Sequence, residues 1–321
     1  MTARYEVVQV ASLGAAFDAR LAAHYRVLQA WREPLGLTAF GDELAGPRVA
    51  VTSVRHGFTQ AMFDALPNLQ AVCSWGVGYD TLDLRAAANR RIGISVTPDV
   101  LDDCVADLAW ALMLSAARRT AVGDRYVKTG QWRAIGQFPV ATRVSGKRLG
   151  ILGLGRIGEA IARRGAGFDM QVRYHNRSPR PQSPYPYEAS LVDLAAWADF
   201  LVVACVGGAA TRHLVNAPVI RALGPRGILV NIARGSVVDQ AAALAALRSG
   251  ELGGAGLDVL EQEPTDAADF ADLDQVSLMP HAGSATHETR AAMADLVFDN
   301  VAAFLRSGEL LTPIADREMQ A

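Results

Sequence analysis

The sequence predicts an α/β fold with two doubly wound parallel sheets. Short apolar runs alternate with helical segments in two successive blocks, residues 1–98 and 146–280, and such alternation indicates parallel strands joined by helical crossovers. A glycine-rich turn follows the first apolar run of the second block. The chain of 321 residues is long enough for two domains and a large core.

The first block predicts four strands and two helices. The strands are expected at 5–10, 49–52, 71–74 and 92–95, and the helices at 15–24 and 60–65. Loops 52–57 and 75–79 follow strands at their carboxyl ends, where open α/β sheets bind ligands. Gly76 and Gly78 flank Val77 and would present backbone N–H groups suited to a carboxylate. A plain strand-to-helix turn fits these residues equally well.

The region between the blocks predicts a long helix and an irregular arm. Residues 99–119 carry apolar side chains on more than one face, with Trp110 and Leu114 outside the main stripe. Such a helix is covered on several sides, so it either crosses between domains or enters a subunit interface. Segment 130–145 carries Trp132 and Phe138 and is too apolar to be left in water. We therefore expect a homodimer.

The second block predicts six parallel strands of a nucleotide-binding sheet. They are expected at 148–152, 171–175, 199–205, 227–232, 254–258 and 276–279. The tail holds one helix, 285–305, which is too little for a domain and should pack on the first block. This predicts a discontinuous substrate-binding domain, 1–99 with 283–321, and a Rossmann NAD(P)-binding domain, 100–282. A cleft between these two Rossmann-like domains would exclude water during a reaction.

The glycine-rich turn has the spacing G-x-G-x-x-G, formed by Gly153, Gly155 and Gly158 between a strand and a helix. Gly153 permits a tight turn, Gly155 lets a pyrophosphate approach the backbone, and Gly158 lets the helix press against the strand. The N–H groups at the helix start can then hold the diphosphate. Because strand, helix and next strand follow in order, the motif predicts dinucleotide binding rather than a merely structural turn.

The residues after the second strand of this block bear on which dinucleotide is bound. An NAD site usually has a carboxylate about 20 residues beyond the glycines, whereas this chain has Asn176, followed by Arg177, Ser178 and Arg180. An amide does not repel a 2′-phosphate, and Arg177 can clasp that phosphate bidentately while Ser178 donates a further bond and Arg180 adds positive field. The pattern favours NADP(H), with NAD(H) possible. Alternatively, this Arg- and Pro-rich stretch is only a solvated connection.

Three polar residues follow successive strands of the second block. Arg234, Glu263 and His281 all lie beyond carboxyl ends, on the edge that holds the pyrophosphate. Reduction of a 2-keto acid needs a cation for the substrate carboxylate, which Arg234 offers. It also needs a proton donor, for which His281 suits neutral pH, and a neighbour such as Glu263 that favours the imidazolium. Each residue alone could be structural.

Composition and charge exclude several classes of function. The formal net charge is −2, so no polyanion-binding field is expected, and we predict neither nucleic-acid nor membrane partners. The N-terminal stretch lacks a secretory pattern and no apolar run approaches 18 residues, which predicts a cytoplasmic location. Cys73, Cys104 and Cys205 are far apart in sequence without a C-x-x-C pair, so we expect no metal site.

Five segments together resemble the D-isomer-specific 2-hydroxyacid dehydrogenase family. They read GLGRIG, VNIARGSVVD, GLDVLEQEP, LMPHAGSAT and TPDVLDDCVADLAWALML. The similarity covers nearly the whole chain and is greatest with the glyoxylate/hydroxypyruvate reductase branch. It implies a dimer joined through the nucleotide domains. The chain departs from NAD-using members at Asn176, so by resemblance its cofactor follows the NADP-using members.

The resemblance also implies residue roles. Arg234 matches the family's substrate-binding arginine, Glu263 the glutamate partner and His281 the acid/base histidine. Asp258 matches the aspartate at the nicotinamide carboxamide. The carboxylate-binding loop matches Val77 and Gly78, and the backbone that contacts the cofactor matches Arg156, Ile157, Ile232, Ala233 and Arg234.

These observations lead us to expect NADPH-dependent reduction of glyoxylate or hydroxypyruvate to the D-2-hydroxy acid, with His281 as proton donor. Trp75 and Tyr79 could instead admit a bulkier aryl pyruvate. Two different functions also stay open. One is a dimeric NAD(P)-binding sensor that resembles a corepressor and has no turnover, and the second is an NAD-linked oxidation of formate, phosphonate or D-lactate.

Overall fold

The computed structural model describes residues 5–315 and residue 319, which divide into two compact units. Unit 1 comprises Met1–Leu101 with Thr286–Ala321, and unit 2 comprises Asp102–Ala285. These boundaries lie within three residues of those placed on the sequence. The substrate-binding and cofactor-binding roles of the two units, and a cleft between them, stay predictions.

Eleven strands and ten α-helices are described, joined by short 3-10 helices and loops. In chain order they are β1 (Val7–Gln9), α1 (Ala15–His24), β2 (Val27–Gln29), β3 (Val49–Ser53), α2 (Gln60–Ala65), β4 (Ala71–Trp75), α3 (Leu84–Asn89), β5 (Gly93–Ser95), α4 (Asp102–Arg118), α5 (Thr120–Lys128), β6 (Arg148–Leu152), α6 (Arg156–Gly165), β7 (Gln171–His175), α7 (Leu191–Trp197), β8 (Phe200–Val203), α8 (Ala217–Leu223), β9 (Ile228–Asn231), α9 (Gln240–Ser249), β10 (Gly254–Leu257), β11 (Val276–Leu278) and α10 (His287–Ser307).

Unit 1 is built on a parallel sheet of five strands in the order β2-β1-β3-β4-β5. Apolar residues of α10, including Val297 and Val301, pack with Val49 and Ala71 on one face. A second cluster, around Phe58, covers the other face. Since both faces are covered, the strands are apolar throughout. The sequence analysis missed β2, which is a three-residue edge strand with only its middle residue buried.

Unit 2 is built on a parallel sheet of six strands in the order β11-β10-β9-β8-β6-β7. The chain starts at β6, adds β7 on one side and then crosses to β8 on the other. This reversal makes a topological switch point between β6 and β8, beyond whose carboxyl ends doubly wound sheets bind ligands. The last residues of the strands are also in register, which aligns Leu152 with Val203, Val203 with Asn231, and Asn231 with Leu257. The loops that follow therefore leave from one edge.

Helix α4 differs from the single long helix expected at 99–119. It ends at Arg118, Arg119 adopts a left-handed conformation (φ 53°), and α5 begins at Thr120. Its broad apolar surface is covered within unit 2. Trp110 donates from Nε1 to the carbonyl of Ile161 at 3.1 Å and stacks on Phe168. These contacts account for one side of the apolar surface, and Leu114 on another side is only partly buried, so the expected crossing between domains or subunit interface stays a prediction.

Of the helices described, none combines the length and apolar character that crossing a membrane requires.

An ion pair ties β6 to the start of β8. Arg148 donates to the Asp199 carboxylate from its backbone N at 3.0 Å and from Nε at 3.1 Å and Nη2 at 3.2 Å. Partial burial alone would raise the pKa of Asp199, but the hydrogen bonds and charge of Arg148 outweigh it and lower the pKa below its ordinary value.

We expect Asp199→Asn to lower the free energy of unfolding by about 1 kcal/mol at neutral pH. Because the pKa of Asp199 is lower in the folded state, this stabilisation is present above the ordinary aspartate pKa and is lost as the pH falls through the folded-state value. Urea unfolding at neutral and acidic pH measures the difference. Asp274→Asn, in the exposed pair with Arg125, is the control and should have little effect at either pH. A constant difference for Asp199→Asn at both pH values would contradict the assignment.

Candidate active site

The glycine turn lies between β6 and α6, at the switch point of unit 2. Gly153 has φ +98°, and a Cβ there would lie 2.5 Å from the backbone of Cys205. A Cβ on Gly158 would lie 2.2 Å from the carbonyl oxygen of Gly153. A Cβ on Gly155 would instead meet no atom within 4 Å. Two glycines thus permit close backbone packing, while the third keeps the N-terminus of α6 accessible, as binding of a pyrophosphate there requires.

Two predicted cofactor-binding residues lie in the first turn of α6. Arg156 pairs with Asp102 at 3.3 Å through Nε, so its side chain is directed toward α4. Ile157 is partly buried. The predicted contribution of both residues to the cofactor is through the backbone, and their position at a helix N-terminus fits that role.

Asn176 is held directly against the glycine turn. Its Oδ1 accepts a hydrogen bond from the backbone N of Leu154 at 2.7 Å, and its carbonyl accepts one from Tyr187 Oη at 3.1 Å. The oxygen therefore faces the turn, which leaves Nδ2 as the donor that Asn176 offers to a ribose or phosphate oxygen. Arg177 and Ser178 follow and are exposed.

The environment of Arg180 corrects one expectation. Its Nη1 donates to the carbonyl of Leu154 at 2.6 Å and lies 2.7 Å from Glu159 Oε1 on α6. Its backbone N donates to Tyr174 Oη at 2.7 Å. The charge of Arg180 is thus balanced by Glu159, so it adds little positive field for a phosphate. Of the two arginines, Arg177 is the better candidate for that contact.

Arg234 is positioned by a buried amide at the end of β9. Asn231 is 1% exposed, accepts from Ala233 N at 3.0 Å through Oδ1, and donates from Nδ2 to the carbonyl of Arg234 at 2.9 Å. Ile232 donates from its backbone N to the carbonyl of Val203, and Ile232 and Ala233 are both buried. The turn that presents Arg234 is therefore held by the Asn231 side chain and by the backbone hydrogen bond of Ile232 to β8.

His281 and Glu263 contact each other directly. His281 Nδ1 lies 2.6 Å from Glu263 Oε2, and Glu263 Oε1 accepts from the backbone N of Leu260 at 2.9 Å. The side chains are 25% and 35% exposed, so solvent can still reach the pair. Since Nδ1 faces the carboxylate, a proton passed to a substrate would leave from Nε2.

Asp258 holds the loop that carries His281. Its carboxylate accepts from Ala282 N at 2.6 Å and Gly283 N at 2.9 Å, and its carbonyl accepts from His281 N at 2.7 Å. Burial raises the pKa of this carboxyl above its ordinary value, although these amides and His281 act in the opposite direction. The observed contacts of the carboxylate are thus with the protein backbone, while its role at the nicotinamide carboxamide stays a prediction.

The structure therefore brings most of the predicted residues of unit 2 to one edge of the sheet. Glu263 and His281 form a pair, and the Arg234 loop packs on the Glu263 loop, because a Cβ on Gly235 would lie 1.9 Å from the carbonyl carbon of Leu260. Gly235 thus has no room for a side chain. Among residues 5–315 and 319 we find no group of three or more His, Cys, Asp or Glu side chains that could hold a metal ion.

The predicted carboxylate loop lies in unit 1, directly after β4. Gly76 donates to Thr97 Oγ1 at 3.1 Å, and the Thr97 backbone N donates back to the Gly76 carbonyl at 2.8 Å. Val77 and Gly78 follow and are partly exposed. The start of the loop is thus anchored, and its carboxylate-binding role stays a prediction.

Sequence reasoning missed residues that act by holding others. His213 Nε2 is hydrogen bonded to the Glu261 carboxylate, and neither residue was singled out on the sequence. Glu159, Tyr187 and Asn231 were not singled out, although they hold Arg180, Asn176 and the Arg234 turn. The only signal for Glu261 was its place in the segment that carries Glu263, and for the others we find none.

Comparison with known proteins gives a consistent result. Residues 110–283 match the family model described as D-isomer specific 2-hydroxyacid dehydrogenase, NAD binding domain. The chain is 42% identical over 308 residues to a hydroxyphenylpyruvate reductase of Plectranthus scutellarioides, with 96% of this chain and 98% of the relative covered. It is 41% identical over 308 residues to glyoxylate/hydroxypyruvate reductase A of Arabidopsis thaliana, with the same coverage.

A solved structure of a reductase is also similar to this chain. It is an NADPH-dependent glyoxylate/hydroxypyruvate reductase of Sinorhizobium meliloti in complex with NADP and malonate. It superposes with a TM-score of 0.91 at 38% identity, and the match covers 98% of this chain and 97% of that one. Identities of this size over nearly the full length, with the dehydrogenase motifs in place, establish that the chain belongs to the D-isomer-specific 2-hydroxyacid dehydrogenase family.

Proposed function

We propose that this protein reduces a small 2-keto acid, glyoxylate or hydroxypyruvate, to glycolate or D-glycerate with NADPH. The observation that carries the proposal is the contact of His281 Nδ1 with Glu263 Oε2 at 2.6 Å, beside the loop that presents Arg234. An imidazole backed by a carboxylate, next to a fixed guanidinium, suits reduction of a keto acid. The similarity to reductases of these acids supports the choice of substrate.

The residues of unit 2 divide the chemical work. Arg234 binds the substrate carboxylate and polarises the keto oxygen. NADPH, when bound, supplies a hydride from the nicotinamide C4. As the carbonyl oxygen gains negative charge, His281 donates the Nε2 proton to it, so one hydride and one proton convert the carbonyl group to the alcohol. Glu263 holds the ring orientation and stabilises the imidazolium before the proton leaves.

The proposed site residues of unit 2 specify a 2-keto acid group but do not specify the substituent that the substrate carries on it. Trp75 and Tyr79 lie at the carboxyl end of β4 in unit 1, and both are partly buried. Aromatic side chains there could pack against an aryl group, and the similarity to a hydroxyphenylpyruvate reductase supports this second candidate. Val77 and Gly78 are proposed to bind the substrate through the backbone in either case.

The proposed cofactor preference depends on Asn176 and Arg177. Asn176 replaces the carboxylate typical of NAD sites and is fixed by the Leu154 amide. Arg177 is exposed at the end of the same strand, so it can clasp a 2′-phosphate. The NADP bound by the Sinorhizobium meliloti relative agrees with this preference. Binding of NAD(H) is expected to be weaker.

We further propose a homodimer that uses the arm at 130–145. Trp132 is 62% exposed, and Ile135 and Val140 are 96% and 97% exposed. Phe138 instead packs on α5, with its ring 5.5 Å from that of Tyr126. Three exposed apolar side chains in one short segment favour contact with a second copy of the chain.

Two rival functions make different demands on the same residues. A sensor without turnover does not require the paired Glu263 and His281, so their contact disfavours it. An NAD-linked oxidation of formate, phosphonate or D-lactate would use the same groups in reverse. A panel of glyoxylate, hydroxypyruvate, phenylpyruvate and D-lactate, assayed with NADPH, NADH and the oxidised cofactors, distinguishes all of these. The absence of any turnover would exclude the reductase proposal.

The catalytic assignment predicts separate effects for two variants. Arg234→Ala should lower kcat/KM by about 100-fold or more, because an ionic clamp on the developing charge is lost. His281→Asn should lower kcat by roughly 100- to 10,000-fold, because the proton donor is lost. Initial rates with saturating NADPH measure both, and His24→Asn on α1 is the control. Wild-type turnover by Arg234→Ala on every keto acid tested would contradict the assignment.

The cofactor proposal predicts that the two arginines differ. Arg177→Ala should raise the Kd for NADPH by roughly 10- to 100-fold and leave that for NADH nearly unchanged, because only the 2′-phosphate contact is removed. Arg180→Ala, whose charge is already paired with Glu159, should change the ratio of the two Kd values much less. Titration of nicotinamide fluorescence measures all four constants. An equal loss for both cofactors in Arg177→Ala would refute the preference.

The proposed dimer predicts that charge in the arm dissociates it. Sedimentation velocity should give about twice the chain mass of 34.2 kDa for the wild type. The double variant Ile135→Asp/Val140→Asp should sediment as a monomer, because two buried charges would have no partners. Leu35→Asp, at an apolar side chain that is 72% exposed in unit 1, is the control. A wild-type monomer at micromolar concentration, or a dimer that tolerates both charges, would exclude the arm as the interface.

A further inference from the structure

A second imidazole–carboxylate pair lies in unit 2 and has no part in the chemistry proposed above. His213 is in the loop between β8 and α8, and Glu261 precedes Glu263 by two residues. His213 Nε2 is hydrogen bonded to Glu261 Oε1. The side chains are 36% and 32% exposed. The pair therefore joins the loop that follows β8 to the loop that follows β10.

Glu261 is held by two further contacts. Its backbone N donates to Gln240 Oε1, on the first residue of α9, at 3.0 Å. The same nitrogen would lie 2.4 Å from a Cβ on Gly235, so the Leu260–Glu261 peptide packs directly on the residue after Arg234. His213 is fixed too, because its backbone N donates to the carbonyl of Ser236 at 2.8 Å. Three loops thus meet at Glu261.

The residue before Glu261 also orients the partner of His281 through its backbone N. Leu260 N donates to Glu263 Oε1 at 2.9 Å, and the other carboxylate oxygen contacts His281 Nδ1. A shift of the 260–261 backbone would therefore move the amide that sets the Glu263 carboxylate. It would also change how the Glu263 loop packs against the Arg234 loop, because Gly235 lies between them.

We propose that His213 and Glu261 are positioning residues that keep Glu263 aligned with His281 and in register with Arg234. They act through the backbone and do not touch the substrate. This inference rests on the proposed reductase function for its catalytic consequence. Its structural part, the control of the His281 ring by Glu261, does not depend on turnover.

The proposal predicts a loss in kcat without a loss in cofactor binding. Glu261→Ala should lower kcat by roughly 10- to 100-fold, by analogy with the loss that follows removal of the outer partners of metal-ligating side chains, and should leave the Kd for NADPH within about 2-fold of wild type. Glu261→Gln keeps an acceptor for His213 and should recover most of the rate. His213→Ala combined with Glu261→Ala should lose no more than Glu261→Ala alone, because both changes remove one interaction. The exposed neighbour Gln262→Ala is the matched control in the same loop and should behave as wild type.

A measurement that is independent of turnover completes the test. Imidazole ¹⁵N shifts, assigned by comparison with His281→Asn, report which ring nitrogen of neutral His281 carries the proton. We expect the Nδ1–H form in the wild type and in Gln262→Ala, and a mixture of tautomers in Glu261→Ala. A Glu261→Ala protein with wild-type kcat, or with an unchanged His281 tautomer and only a lower Tm, would overturn the positioning role. If Glu261→Ala fails to fold, His213→Ala takes its place, since it removes the same interaction: we expect a lower kcat and a mixture of tautomers, and wild-type values for either would overturn the positioning role.

The two proposals fail in different ways. If the wild type reduces no 2-keto acid with either cofactor, the proposed function is wrong, and the ¹⁵N measurement still decides whether Glu261 controls the ring. If the wild type is active and either readout is insensitive to Glu261, only the positioning role is wrong.

Discussion

The alignment of strand ends in the sheet of unit 2 is the constraint on which the candidate site depends. Because β6, β8, β9 and β10 pair in parallel with their last residues in register, the loops that follow start at one edge. Residues that are about 130 positions apart in sequence, such as Gly153 and His281, therefore lie on loops from the same side of the sheet. The backbone hydrogen bonds of the parallel sheet alone are enough to place these loops at one edge.

Buried polar side chains fix the conformations of the loops that leave this edge of the sheet. Asn231 and Asp258 are 1% and 2% exposed, and their oxygens accept hydrogen bonds from backbone amides of the loops that carry Arg234 and His281. An unsatisfied buried amide is costly, so each of these bonds strongly favours one loop conformation. For Asp258 the charge itself is unfavourable in this setting, which is why burial raises its pKa. The hydrogen bonds to Asp258 thus fix the conformation of the His281 loop, although burial of the Asp258 carboxylate is itself unfavourable.

The sequence predicted the features that follow from local patterns. Alternating apolar runs gave the two sheets, and the glycine spacing gave the turn between β6 and α6. The order of Arg234, Glu263 and His281 after successive strands predicted their common edge, since parallel topology places all carboxyl ends together. The short edge strand β2 and the break at Arg119 were missed because three half-buried residues and one left-handed residue leave almost no trace in periodicity. The pairs His213–Glu261 and Arg180–Glu159 were missed because side-chain contacts between distant loops have no signature in one sequence.

The close packing of Gly235 against the Leu260–Glu261 peptide limits how the protein can diversify. Because the contact leaves no room for even a methyl group on Gly235, the two loops are packed too closely to move independently. A mutation that lengthens or tilts either of them would displace the other, so stepwise remodelling at this spot is blocked.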